Sequence, residues 1–158
     1  MSDDHLSCIY DANRSLARKR LACELRIIVA IQVVGLCIIW LSVFLLVVEM
    51  IPNYSEWDVI HSLDIILVTL GNIMFLGAAF FGGYKLVCTA FLSLPIRLYA
   101  GSVFGLPLLQ PFVFRLMFPS VFAYILCDLI LPLYSILPQF FIARWLAKET
   151  ADGTMESV

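Results

Sequence analysis

One uncharged run limits what this chain can fold into. From Ile27 to Ile51 the sequence reads IIVAIQVVGLCIIWLSVFLLVVEMI, with no charge between Arg26 and Glu49. As a helix, the stretch 27–48 rises about 33 Å at roughly 1.5 Å per residue, close to the ~30 Å hydrocarbon core of a bilayer. Its many Ile and Val residues lower helicity in water. They matter little in lipid, where each unpaired backbone group costs several kcal/mol and forces the helix. The apolar part of a cleaved signal peptide is ~7–15 residues and precedes a small-residue cleavage site. This run is longer and lacks such a site, so the expectation is a membrane-spanning helix. Gln32, Gly35, Ile39 and Ser42 fall at spacings of three and four, a small and polar stripe suited to packing against another helix.

The rest of the chain resembles that run in composition. Hydrophobic residues make up 62%, charged residues 14%, and mean hydropathy is +0.97. Soluble domains are typically ~45–50% apolar and ~25% charged. A chain of 158 residues has room for one membrane domain, expected over 27–146. A polar N-terminal tail, 1–26, precedes it, and a disordered tail, 147–158, follows. The net charge of −2 and the lack of basic patches interleaved with aromatics argue against nucleic acid as a partner. No C-x-x-C pair occurs among Cys8, Cys23, Cys37, Cys88 and Cys127, so zinc and dithiol chemistry find no support. Cys37 and Cys127 read as small hydrophobes, and Cys23, among basic residues, as a candidate for palmitoylation.

Arg14, Arg18, Lys19, Arg20 and Arg26 precede the first span, which places the N-terminus in the cytoplasm. The connector after it carries Glu56 and Asp58 and no base, as a loop on the far side should. Asn53-Tyr54-Ser55 is a glycosylation sequon there, close to the membrane. A second span is expected from Val59 to Phe81. On it His61, Asp64, Val68, Gly71, Phe75, Ala78 and Gly82 share one stripe, beside Asn72, Ala79 and Gly83. Ala78-x-x-x-Gly82 and Ala79-x-x-x-Gly83 allow a neighbouring backbone to come close. Gly82-Gly83-Tyr84-Lys85 reads as a tight cytoplasmic turn, making the first two spans a helical hairpin.

The prolines at 95, 107 and 111 leave two parses of the next stretch. Either a kinked span covers Leu86–Leu106 with a turn at Pro107–Pro111, or 85–97 lies along the interface and the span is Leu98–Phe114. The last span is expected from Phe118 to Ala143, with Pro132 and Pro138 kinking it and Arg144, Trp145 and Lys148 at the interface. Both termini are then cytoplasmic. The fold class is all-α, a polytopic membrane protein with a four-helix transmembrane bundle, and no internal repeat is evident.

Ionisable groups inside the membrane cost ~2.5–3.5 kcal/mol each on insertion scales, so each needs a partner or a purpose. The candidates are Asp64, Asp128, Arg97, Arg115 and His61, with Asp64–Arg115 and Asp128–Arg97 expected as buried pairs. Asp58, His61 and Asp64 share a spacing that a divalent metal accepts, although a lone His with two carboxylates beside an acidic loop is more often interfacial polarity, and no metal or cofactor is assigned. No catalytic motif is present. Trp57-x-x-x-His61-x-Leu63-Asp64, with Asn72 eight residues on, resembles the last-helix pattern of some nematode serpentine chemoreceptors. That resemblance implies a cytoplasmic tail after this helix and a glycine after the aspartate. Here Ile65 follows Asp64, and two further apolar segments follow the helix. The functional expectation is a non-enzymatic interaction subunit or trafficking adaptor, in an endomembrane or the plasma membrane, partnered by lipid, other membrane proteins or itself. The alternatives are a small carrier or channel using Asp64 and Asp128, a lipid-modifying enzyme using His61 and Asp64, and, as the resemblance implies, a fragmentary chemoreceptor of the nematode serpentine type.

Overall fold

The computed structural model describes residues 3–49, 57–117 and 130–152. They form four α-helices: α1 Asp3–Glu49, α2 Trp57–Cys88, α3 Leu94–Met117 and α4 Leu131–Asp152. α1 packs on α2 and α4, α2 on α3, and α3 on α4, closing a four-membered ring. Two helices are long and apolar enough to cross a membrane, within Ile9–Leu45 and Ser62–Cys88, and a shorter apolar stretch covers Leu94–Leu109.

The buried positions of α1 explain how the ring is held. Leu21, Leu25, Ile28, Gln32, Gly35, Ile39 and Ser42 are all buried, and their spacing alternates between four and three. That average of about 3.5 residues keeps one seam facing its neighbours along a left-handed pair. α2 answers in the opposite direction: Ser42 meets Asp64, Gly35 meets Gly71, and Glu24 meets Lys85. The first two helices are therefore an antiparallel hairpin in near-constant register.

Glycine sets the separation of this hairpin. A Cβ built on Gly35 would lie 2.9 Å from the Gly71 carbonyl oxygen, and one on Gly71 would lie 2.9 Å from that of Gly35. Farther along α2, the same construction at Gly82 meets the Phe104 ring at 2.6 Å. Phe104 is fully buried and touches the position where Ile28 and Gly82 meet, so one aromatic ring ties α3 to the α1–α2 pair. A Cβ built on Gly83 would lie 3.5 Å from the Gly101 carbonyl oxygen. Ala79 is fully buried and Ala78 half-buried beside it.

Several boundaries differ from those expected. Gly82-Gly83-Tyr84-Lys85 is not a turn: α2 continues to Cys88, and the reversal falls at 89–93. The glycines serve close helix contact, and a helix interior tolerates them at roughly 1 kcal/mol each. Neither parse of 84–118 holds as drawn. α3 is one helix that begins at Leu94, with Pro95 in its first turn, where an amide has no partner to lose. Pro107 and Pro111 lie inside it. The N-terminal segment is helical from Asp3 rather than a loose tail, and the C-terminal segment expected to be disordered is helical to Asp152. α4 has Pro132 in its first turn, where the Ser135 hydroxyl donates to the Pro132 carbonyl at 2.8 Å. Pro138 lies in its interior. Residues 118–129, which hold Asp128 and most of the expected last span, lie outside the described residues, as does the Asn53 sequon.

Beyond Arg26 on α1, and on α2, α3 and α4, the outer surface is largely apolar. Phe44 and Val47 on α1, Ile73 and Phe80 on α2, Leu98 and Leu109 on α3, and Leu137 and Phe141 on α4 are all about half exposed or more. Polar groups lie inside: Gln32, Ser42, Asp64, Ser135 and Gln139 are buried.

Candidate functional site

The polar residues of the bundle fall into three groups, and the helix register places each of them. The first is deep in the α1–α2 seam. Ser42 and Asp64 are both buried, and the Ser42 hydroxyl donates to Asp64 Oδ1. Asp64 therefore faces α1. The side chains of Arg115, its expected partner, and of His61 lie outside the described residues. So does Asp128, and hence the pairing with Arg97. Among the described residues, no group of three His, Cys, Asp or Glu side chains is placed to hold a metal.

The second group is a pair of amides. Gln32 on α1 and Gln139 on α4 are fully buried, and neither the amide nitrogen nor the oxygen of either has a partner. Gln32 follows the seam because it occupies the position between Ile28 and Gly35 in the four-three alternation. Gln139 was not singled out by sequence. Its signal is its spacing of four from both Ser135 and Ala143, which are buried with it.

The third group lies at one end of the bundle. Seven of the ten basic residues are there: Arg14, Arg18, Lys19, Arg20 and Arg26 on α1, Lys85 on α2 and Arg97 on α3. Arg144 and Lys148 lie in the C-terminal part of α4, and the tenth is Arg115. Glu24 bonds to Lys85, and Arg20 Nε approaches it at 3.5 Å from the preceding turn of α1. The Lys85 hydrogen bond holds the Glu24 carboxyl below the usual carboxylate range, against a smaller opposing effect of burial. Lys85 also lies 5.7 Å from the centre of the Phe81 ring. Arg14 reaches across to the Phe91 carbonyl at 3.3 Å, so the basic part of α1 braces the α2–α3 turn. The Nε atoms of Arg18 and Arg97 are buried without a partner.

Beside this basic end, a groove opens between α3 and α4. Its volume is about 740 Å³, and Pro95, Tyr99, Tyr134, Pro138, Phe141 and Trp145 supply most of its aromatic and proline wall. Pro138 has no amide hydrogen to give the Tyr134 carbonyl one turn earlier. Ligand pockets commonly occupy roughly 300–1,000 Å³ with mostly apolar walls.

Of the cysteines, Cys23, Cys37 and Cys88 are free and exposed. Cys37, read as a small hydrophobe, sits on the outward face of α1. Cys127 lies outside the described residues.

No family model, curated protein or solved structure matches the chain. The chemoreceptor resemblance implies that the helix bearing His61 and Asp64 is the last one, whereas α3 and α4 follow it and pack back onto it and onto α1.

Proposed function

We propose that this chain is a multi-pass integral membrane protein acting as a non-enzymatic interaction subunit or trafficking adaptor in a membrane complex. The observation that carries the reading is the radial distribution of polarity. Large apolar side chains cover the outside of α1 beyond Arg26 and of α2, α3 and α4, while Ser42, Asp64, Gln32 and Gln139 are enclosed. Water penalises such an exterior, and lipid does not. The gathering of seven basic residues at one end supports an orientation with that end in the cytoplasm, and Arg144 and Lys148 near the end of α4 support the same for both termini. The organelle membrane or the plasma membrane accommodates this arrangement equally.

The subunit reading draws support from how the polar groups are used. Asp64 is tied to Ser42 across the α1–α2 seam, which gives the carboxyl a role in choosing neighbours. Small residues at 35, 71, 82 and 83 are likewise committed to close helix contact. The second reading, a carrier or channel built on Asp64 and Asp128, needs a polar path, and the seam around Asp64 is closed by packing. The test is the composition of the particle extracted from its native membrane in mild detergent. The subunit reading expects other polypeptides in fixed ratio to this chain. A homo-oligomer free of other chains overturns it in favour of the carrier reading.

A further inference from the structure

We propose that the α3–α4 groove is a binding site for an anionic phospholipid, with one acyl chain in the groove and the phosphate at its basic mouth. The inference rests on the membrane reading above. Three observations support it together. The first is length: along α4 the wall runs from Tyr134 to Trp145, about 17 Å at roughly 1.5 Å per residue, close to the ~15 Å depth of one leaflet's hydrocarbon. The second is shape: a concavity of about 740 Å³ is bounded by flat rings that a chain can lie against.

The third observation is charge. At the end of the groove marked by Trp145, α4 carries Arg144 immediately before that residue and Lys148 one turn after it, both exposed. Two exposed cations on α4 thus flank the Trp145 end of an apolar slot. A sterol or a neutral lipid has no charge to offer them, whereas a phosphodiester does. Basic side chains at this depth attract anionic headgroups by about 1 kcal/mol each. Glu24, the nearby acid described on α1, is already engaged by Lys85 and Arg20.

The test uses the tryptophans. Two variants of the full chain are reconstituted in phosphatidylcholine bilayers: one keeps only Trp145 (Trp40→Phe, Trp57→Phe), the other only Trp40 (Trp57→Phe, Trp145→Phe). Each is titrated with phosphatidylglycerol or phosphatidylcholine carrying brominated acyl chains, which quench indole on contact. Trp40 lies on the outer face of α1 and reports lipid contact alone, so both lipids quench it equally. Trp145 is expected to reach half-quenching at about tenfold lower mole fraction of phosphatidylglycerol than of phosphatidylcholine. In an Arg144→Gln, Lys148→Gln variant, altered only at exposed positions, that preference disappears. Quenching of Trp40 with no preference at Trp145 overturns the site and leaves the membrane reading standing. Quenching of Trp40 with none at Trp145 means that a second copy or another partner fills the groove, and also overturns it. Absence of quenching at Trp40 overturns the membrane reading itself.

Discussion

Gly35 and Gly71 face each other across the α1–α2 seam, each carbonyl occupying the space that a side chain on the other would need. Replacing either by alanine puts a methyl group 2.9 Å from a backbone oxygen, and backbone cannot swing aside. Gly35→Ala and Gly71→Ala are therefore expected to force the helices apart and to cost about 1–3 kcal/mol, as overpacking does. Gly77 has open space around its Cβ position, so Gly77→Ala is the control. Thermal unfolding in detergent checks this: a fall in Tm for the first two and an unchanged or higher Tm for the third. Equal behaviour of all three contradicts the contact.

Ser42 and Asp64 lock the same seam nearer the opposite end. Ser42→Ala leaves a buried carboxyl without its donor, which costs about 1–3 kcal/mol. In a double-mutant cycle with Asp64→Ala, the two losses should be clearly non-additive, because removing one partner already removes the bond. Additive losses contradict a direct interaction.

Gln32 and Gln139 make the opposite prediction. A buried amide with no partner is a burden of about 1–3 kcal/mol. Gln32→Leu and Gln139→Leu should therefore leave the midpoint of unfolding unchanged or raise it. A large loss of stability from either would show that the amide is paired in the folded protein.

The Glu24–Lys85 contact predicts a pH dependence of stability. The folded-state carboxyl is held below its unfolded value of 4.5. Its contribution is thus complete above that value and is lost as pH falls through the lower, folded value. The pair is partly exposed, at 29% and 32% for the two side chains, so the effect is at most about 1 kcal/mol. Unfolding measured from pH 6 to pH 3 should show a slope that Glu24→Gln reduces. An identical slope in the variant removes Glu24 as its source.

The seam of α1 was legible from Gln32 to Ser42, where spacings of three and four repeat; its continuation back through Ile28 and Leu25 to Leu21 was not, because charged residues surround the apolar positions there. The stripe on α2 was legible for the same reason, and it places Asp64, Gly71, Phe75 and Gly82 on the buried side. Gly82-Gly83 misled because glycine pairs serve turns and close packing alike. What separates the two is the ring of Phe104 and the carbonyl of Gly101 lying opposite, which only tertiary structure supplies. Proline was ambiguous in the same way: Pro95 and Pro132 begin helices, while Pro107, Pro111 and Pro138 lie within them. The groove had no sequence signature, since its wall comes from two helices more than thirty residues apart along the chain. Nor did Gln139 announce itself, because a single amide in an apolar helix gives no hint of which way it faces.

The central claim is that the apolar outer face of the bundle lies in lipid, and the native cysteines test it most directly. Cys37 is exposed on that face, midway along the uncharged run of α1, and Cys88 is exposed at the end of α2 beside the basic cluster. With Cys8, Cys23 and Cys127 changed to serine, membranes opened to admit reagent on both sides are treated with a charged, water-soluble maleimide. Cys88 should react readily, while Cys37 should stay unlabelled until denaturing detergent is added. Labelling of Cys37 at a rate comparable to Cys88 in the intact membrane would mean that this face is bathed in water, and would contradict the account.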